Sequence, residues 1–229
     1  IDARAGINTD SMLHAIQQIK NDTARMDSMY YYARRIRREH PREALMVANI
    51  LLDEAKSYHD QYRIAFADIL VAVCYYKMHD FDQSIKYYLE ELRIQQGLKR
   101  YDNQVKTMHD MGSIYDITHD IENEKKYVIE ALKICEEHKN DKAVWQQHGY
   151  TLDNLATIYK KEGRLDTAIK VYRDVIAEAR KANDTDRQIS SLTNMAIALK
   201  SNKNYPQSLD AYNEALALID TLRDVDGYG

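Results

Sequence analysis

Apolar and small residues recur along this chain at spacings of three and four, the period of an α-helix with one buried face. The clearest stretch contains Ala156, Tyr159 and Ala168, and a polar turn around Gly163 interrupts it. Glycine readily adopts the left-handed backbone that ends a helix, so a turn of this kind separates two helices. The pattern therefore predicts a pair of amphipathic helices joined by a short connection.

The same two-helix frame recurs along the chain. In the second helix of each copy a small residue marks the close crossing with the first helix, except in the third copy, which has a glutamate. These anchor positions lie 40, 40, 44 and 40 residues apart, at Ala44, Ser84, Glu124, Ala168 and Ser208. The matching small residues of the first helices are Ala72, Gly112, Ala156 and Ala196. Because one helical hairpin cannot bury its own apolar face, the copies are predicted to stack into a solenoid.

Over about residues 23–223 this order of small, aromatic and turn positions resembles the tetratricopeptide repeat family. The match is best at residues 152–175 and 192–215, although no repeat begins with Trp. The helices are longer than in the common unit of about 34 residues, and they look like the repeats of bacterial quorum-sensing regulators and kinesin light chains. The resemblance implies an all-α fold, a right-handed superhelical solenoid of about five helical hairpins that follows a short N-terminal helix.

We expect three segments along the chain. Residues 1–22 form a lead-in that contains the short N-terminal helix, residues 23–223 form the solenoid, and residues 224–229 form a polar tail. The expected repeats are 23–59, 60–99, 100–140, 141–183 and 184–223.

Local signals add detail at the two ends of the solenoid. Asp22 or Thr23 is predicted to cap the first solenoid helix, because short polar side chains accept hydrogen bonds from free amide groups at a helix N-terminus. The last helix is expected to expose Ala211, Leu216 and Leu218, since no further repeat follows them in this sequence.

Composition and motifs narrow the function. The net charge is −4 and no basic stripe follows the repeats, so we expect no nucleic-acid partner. No apolar run is long enough to span a bilayer, so this segment is not expected to enter a membrane. Phosphate-binding, metal-binding and nucleophile–base motifs are not found, so we expect neither enzyme activity nor a cofactor. Cys74 and Cys135 are predicted to be buried hydrophobic side chains.

Two clusters have two interpretations each. His79 and His119 fall at the same turn position of neighbouring repeats, and we interpret them as helix-ending residues. The alternative is a metal site that Asp80 or Asp120 completes. The arginine-rich run at residues 34–38 is interpreted as a solvated helix end, and the alternative is a site for an acidic ligand.

The family resemblance implies that the first helices line a concave groove, which would bind a protein or peptide. The residues that map to this groove are Tyr76, Lys77, His109, Asp110, Asp116, Asp153, Asn154, Thr157, Lys160, Thr193, Asn194 and Lys200. Asp110, Asn154 and Asn194 hold the same repeat position, and an amide there offers a donor and an acceptor to a peptide main chain. The alternative is that these polar groups only solvate an empty groove.

Residues 20–27 and 40–45 resemble extracytoplasmic repeat regions of Bacteroidetes-type sensor histidine kinases and related membrane-bound regulators. This resemblance implies a non-enzymatic sensor or input domain of a signalling regulator, periplasmic and tethered to a membrane in the full protein. The alternative is a free-standing scaffold or adaptor for protein–protein assembly, with a cytoplasmic location. Self-association through the uncovered last helix is a further expectation.

Overall fold

The computed structural model of the chain describes residues 9–225, and this part contains helices and short turns but no β-strand. The helices are α1 (Thr9–Gln17), α2 (Asp22–Ile36), α3 (Pro41–Ser57), α4 (Gln61–Lys77), α5 (Phe81–Gly97), α6 (Tyr101–Ile117), α7 (Ile121–Glu137), α8 (Lys142–Lys161), α9 (Leu165–Ala182), α10 (Thr185–Ser201) and α11 (Tyr205–Val225). The expected all-α repeat solenoid is confirmed. The predicted tail beyond Val225 and the first eight residues of the lead-in lie outside the described residues.

The chain forms two compact units, unit 1 (Ile1–Thr107) and unit 2 (Met108–Gly229), and the boundary falls within α6. In unit 1, α2 packs on α3, α3 on α4 and α4 on α5. In unit 2, α7 packs on α8, and the series continues through α9 and α10 to α11. First helices of successive repeats also touch, α2 with α4 and α8 with α10. Each unit therefore places its first helices side by side.

A left-handed residue ends most of the helices. His79, His119 and Gly163 have φ values of 62°, 59° and 75°, which confirms their interpretation as helix-ending residues. In the last repeat the left-handed position is Lys203, with φ of 60°. The amide of Asp80 then donates to the carbonyl of Tyr75 at 3.0 Å, the hydrogen bond that closes the C-terminus of α4.

Side-chain caps begin α2, α4, α5, α7, α8 and α10, whereas α3 and α9 begin without one. Asn21 caps α2 through a hydrogen bond from the Ala24 amide at 2.9 Å, so the prediction of Asp22 or Thr23 at this position is wrong. An asparagine side chain satisfies the free amide as well as aspartate does, and here the helix begins one residue earlier than predicted. Asp22 instead forms an ion pair with Arg25 at 2.6 Å.

The anchor positions of the second helices are buried, and two of them form the same kind of hydrogen bond to the first helix of their repeat. The Ser84 hydroxyl donates to the Ala72 carbonyl at 2.8 Å, and the Ser208 hydroxyl donates to the Ala196 carbonyl at the same distance. A small side chain allows the two helix backbones to approach, and its hydroxyl is satisfied by the partner helix. The two cysteines are buried and free, as predicted.

The last helix keeps an exposed apolar face. Leu216 is exposed as predicted and Leu218 is half-buried, whereas Ala211 is buried against the core of unit 2, so the prediction that it is exposed is wrong. Leu209 is 61% exposed, whereas Ile169, at the same position of the preceding repeat, is 5% exposed. The difference arises because the helices of the last repeat cover Ile169, while no helix in the described part of the chain covers Leu209.

Candidate functional site

All twelve predicted groove residues lie on first helices. Tyr76 and Lys77 are on α4 in unit 1, and the other ten are on α6, α8 and α10 in unit 2. The Lys77 ammonium lies 5.5 Å from the centre of the Tyr76 ring. This pair belongs to unit 1, so the polar site described next is built from unit 2 alone.

A small cleft of unit 2, here named the α6–α8 cleft, brings four of the predicted residues together. Its volume is about 90 Å³, and its lining consists of His109, Gly112, Ser113, Asp116, Glu124, Val128, Asn154 and Thr157. The predicted members are His109 and Asp116 from α6 and Asn154 and Thr157 from α8. The α6 pair and the α8 pair are at least 38 positions apart in sequence, and the packing of successive repeats brings them to one place.

Polar contacts set the chemistry of the α6–α8 cleft. The His109 Nε2 atom lies 2.9 Å from the Thr151 hydroxyl, and burial lowers the pKa of His109 to about 4. The imidazole is therefore neutral at physiological pH and bridges α6 to α8 as a hydrogen-bonding group. On the neighbouring turn of α8, the hydroxyl groups of Thr157 and Tyr172 are 2.9 Å apart.

Asn154 differs from its repeat equivalent. Its half-buried amide lines the cleft and makes no hydrogen bond within residues 9–225. The Asn194 amide instead donates to Asp153 at 3.4 Å, and the Ser191 hydroxyl donates to the same carboxylate at 2.6 Å. Asp110, the third residue at this repeat position, is exposed on α6. The expected ladder of equivalent side chains therefore consists of three different environments.

A lysine next to the cleft pairs with two acidic residues of its lining. The Lys161 ammonium donates to Asp116 at 2.6 Å and to Glu124 at 2.8 Å. Burial acts to lower the pKa of Lys161, but hydrogen bonds to the two carboxylates raise it overall. Burial likewise raises the pKa of Glu124, although Lys161 opposes this change. The sequence hypothesis missed Lys161. The signal that could have found it is Glu124, a charged residue at an anchor position, which needs a cation beside it.

The remaining predicted residues have weaker support from the geometry. Burial lowers the pKa of Lys160, and the Asp153 carboxylate opposes this shift. Burial also raises the pKa of Asp153 despite the hydrogen bonds from Ser191 and Asn194. The Thr193 hydroxyl donates to the Ile189 carbonyl of its own helix at 2.8 Å, and Lys200 is exposed.

The structure contains an aromatic cleft in unit 1 that the sequence hypothesis missed. It has a volume of about 370 Å³ and is lined by Met26, Asp27, Tyr30, Tyr31, Arg34, Leu51, Tyr62, Arg63 and Phe66. The rings of Tyr62 and Phe66 meet edge to face, with centres 4.5 Å apart. The signal in the sequence is a pair of aromatic residues four apart on α4, next to the tyrosine run of α2. The arginine run ends α2 as predicted, and its first residue, Arg34, lines this cleft.

A second missed feature is a wide cleft of unit 2 between the N-terminal half of α8 and the α9–α10 connection. Its volume is about 750 Å³. The Arg187 guanidinium lies 4.4 Å from the centre of the Tyr150 ring and forms an ion pair with Asp184 at 2.9 Å. Gly149 makes room for it, because a Cβ atom there would lie 2.0 Å from Arg187 Nη1.

Among residues 9–225 no group of three or more His, Cys, Asp or Glu side chains is placed to hold a metal ion. In the same residues no helix is both long and apolar enough to cross a membrane.

Comparisons with known proteins identify the repeat. The sequence profile described as tetratricopeptide repeat matches residues 63–137 and 149–220. No curated protein sequence matches the chain.

Solved structures share the fold at low identity. BtubC (BKLC) from P. vanneervenii has a TM-score of 0.77 at 15% identity, over 96% of this chain and 91% of that one. A STAND signal-transduction ATPase with a tetratricopeptide repeat sensor, from Pyrococcus horikoshii, has a TM-score of 0.73 at 14% identity, over 93% of this chain and 36% of that one. A Rap protein in complex with Competence and Sporulation Factor has a TM-score of 0.57 at 14% identity, over 94% and 70%.

Proposed function

The chain belongs to the tetratricopeptide repeat family of protein-interaction modules, and we propose that its α6–α8 cleft holds an extended segment of a partner protein or peptide. The observation that carries this proposal is the Asn154 amide, which lines the cleft and has no hydrogen-bond partner within residues 9–225. A primary amide offers both a donor and an acceptor, which is what the main chain of an extended peptide requires.

The size and polarity of the cleft support a main chain rather than a large side chain. A volume of about 90 Å³ is too small for a drug-sized ligand, whose pockets begin at about 300 Å³. His109, Ser113 and Thr157 surround Asn154 with neutral polar groups. Lys161 already pairs with the acidic residues of the wall, so the cleft has no strong preference for one sign of charge.

The proposal is tested with peptides that are selected by their affinity for the protein. Peptides selected from a random phage-displayed library are synthesised with a fluorophore, and their dissociation constants are measured by anisotropy. We expect Asn154→Ala to weaken binding by about tenfold, the cost of one lost main-chain hydrogen-bond pair. Asn194→Ala should weaken it by about twofold, because that amide already bonds to Asp153.

Asn213→Ala is the matched control, since this amide is exposed on the second helix α11. It should leave the dissociation constant unchanged, and all three variants should keep the wild-type melting curve. If Asn154→Ala binds the selected peptides as tightly as the wild type, the α6–α8 cleft is not the binding site.

A finer proposal is that the module is the sensor or input domain of a membrane-bound signalling regulator, located outside the cytoplasm. Support comes from the resemblance of residues 20–27 and 40–45 to such regions, and from two structural neighbours, of which one contains a tetratricopeptide repeat sensor and the other binds Competence and Sporulation Factor. The competing proposal is a cytoplasmic scaffold. Neither assigns the chain a catalytic role or a nucleic-acid partner.

The flanking coding sequence separates the two proposals. A signal peptide upstream, with a membrane helix and an output domain downstream, would support the sensor. A gene that continues into further cytoplasmic repeats, with no export signal, would support the scaffold.

A further inference from the structure

Asp68 is a buried carboxyl group in the middle of α4, in unit 1. It is 3% exposed, and within residues 9–225 it forms no hydrogen bond and no ion pair. Buried carboxyl groups in folded proteins are almost always hydrogen-bonded or paired, because an unmet polar group costs free energy. Asp68 is therefore an exception that a structural role alone does not explain.

The carboxyl group lies at the floor of a cleft, here named the Asp68 cleft. The cleft has a volume of about 260 Å³ and is lined by Lys56, Ile64, Asp68, Lys86, Tyr87, Glu90 and Ile94. Ile64 and Ile94 form apolar walls, and the Tyr87 ring provides an aromatic wall. The carboxyl group, which has no hydrogen-bond partner in the described residues, thus lines an open cleft.

The charges around the cleft are mixed. The titratable groups that face Asp68 are Lys56 of α3 and, from α5, Lys86, Tyr87, Glu90 and Glu91. Burial raises the pKa of Asp68 to about 7, the Lys56 charge opposes this rise, and Glu90 and Glu91 add to it. The Lys86 ammonium lies 5.8 Å from the centre of the Tyr87 ring rather than beside the carboxyl group. Neither lysine of the rim therefore satisfies Asp68.

We propose that the Asp68 cleft binds the cationic head of a lysine or arginine side chain from a partner protein. The carboxylate at the floor and Glu90 at the rim complement a positive charge. The two isoleucines and the Tyr87 ring suit the apolar stem of such a side chain. The site lies in unit 1 and does not depend on the α6–α8 cleft, so either proposal can fail without the other.

Small analogues of the two side chains test the proposal without knowledge of the partner. n-Butylguanidinium and n-butylammonium are titrated into the whole chain at pH 8, and the backbone amide signals of Ile64, Asp68 and Tyr87 are followed by NMR. 1-Butanol is the neutral analogue. We expect saturable shifts with both cations in the millimolar range and none with butanol. Equal shifts with butanol would overturn the proposal, because they would describe an apolar crevice.

Two variants sharpen the test. Asp68→Asn keeps the shape of the side chain and should weaken binding of the cations by about tenfold. Asp82→Asn removes an exposed carboxylate of the same helix pair and should leave the affinity unchanged. Cation binding should also weaken between pH 8 and pH 6, as Asp68 takes up a proton. Unchanged affinity in Asp68→Asn contradicts the proposal.

A third variant keeps the test informative if Asp68→Asn folds poorly. Lys86→Gln removes a competing positive charge from the rim and should strengthen cation binding by about twofold at low salt. Weaker cation binding in Lys86→Gln would mean that the probes do not meet the Asp68 carboxylate.

Discussion

Two buried carboxyl groups, Asp68 of unit 1 and Glu124 of unit 2, have opposite surroundings. In unit 1 Asp68 is 3% exposed and makes no polar contact within the described residues. In unit 2 Glu124 is 6% exposed and accepts hydrogen bonds from the Lys161 ammonium at 2.8 and 2.9 Å. Lys161 opposes the rise that burial causes in the pKa of Glu124, whereas no ion pair opposes the rise for Asp68, whose pKa reaches about 7.

The two groups are expected to have different roles. Glu124 occupies an anchor position where other repeats have alanine or serine. It pairs with Lys161 of the next repeat, so we expect it to stabilise the fold. Asp68 is buried without a hydrogen bond or an ion pair in the described residues, and this is the pattern expected of a group that binds a ligand. Three measurements of stability test this distinction.

Removal of the lysine should have the largest effect. Lys161→Met is expected to lower the free energy of unfolding at pH 8 by about 3 kcal/mol, because it leaves the Glu124 carboxylate buried without a cation. Urea unfolding followed by circular dichroism measures this loss.

The controls for Lys161→Met lie in the same unit. Lys200→Met removes an exposed lysine and should cost less than about 0.5 kcal/mol. Adding Glu124→Gln to Lys161→Met should recover most of the loss, and the loss should shrink below pH 4, where Glu124 is protonated in both states. A loss that is equal at pH 8 and pH 3 would show that Lys161 acts by packing and not by charge.

The second effect has the opposite sign. The folded-state pKa of Asp68 is raised to about 7 from its usual 3.8, so the folded chain holds a proton that the unfolded chain releases. Stability from this group is therefore full below pH 3.8 and falls as the pH rises to 7. Asp68→Asn should raise the unfolding free energy at pH 8 by about 2 kcal/mol and leave it unchanged at pH 3. A variant that is less stable than the wild type at pH 8 would mean that the carboxylate has a structural partner.

The smallest effect concerns Asp153. Its surroundings are intermediate between those of Glu124 and Asp68, because it accepts hydrogen bonds from the neutral side chains of Ser191 and Asn194. Ser191→Ala removes the hydrogen bond of 2.6 Å and should cost about 1 kcal/mol at neutral pH. The pKa of Asp153, followed by NMR, should rise further above its usual value. Thr193→Ala is the control, since that hydroxyl bonds only to its own helix, and it should leave the pKa of Asp153 in place.

Residues at equivalent repeat positions show where prediction from sequence stops. Asn154 and Asn194 are the same residue in the same frame, yet one amide is open to the cleft and the other donates to Asp153. Glu124 looked like a defect in the frame, and the contact that explains it comes from Lys161, 37 residues later. Neither outcome follows from spacing, because each depends on which side chain of the neighbouring helix comes within about 3 Å.

The sequence by itself determined the all-α solenoid, the anchor residues and the turns at His79, His119 and Gly163. These features depend on helical periodicity and on local backbone preferences, which act between residues a few positions apart. Only the tertiary structure decided which polar side chains have a hydrogen-bond partner in the described residues and which, such as Asp68 and Asn154, have none. The physical reason is that burial and hydrogen bonding are set by contacts between helices, at a precision of tenths of an ångström that no repeat period encodes.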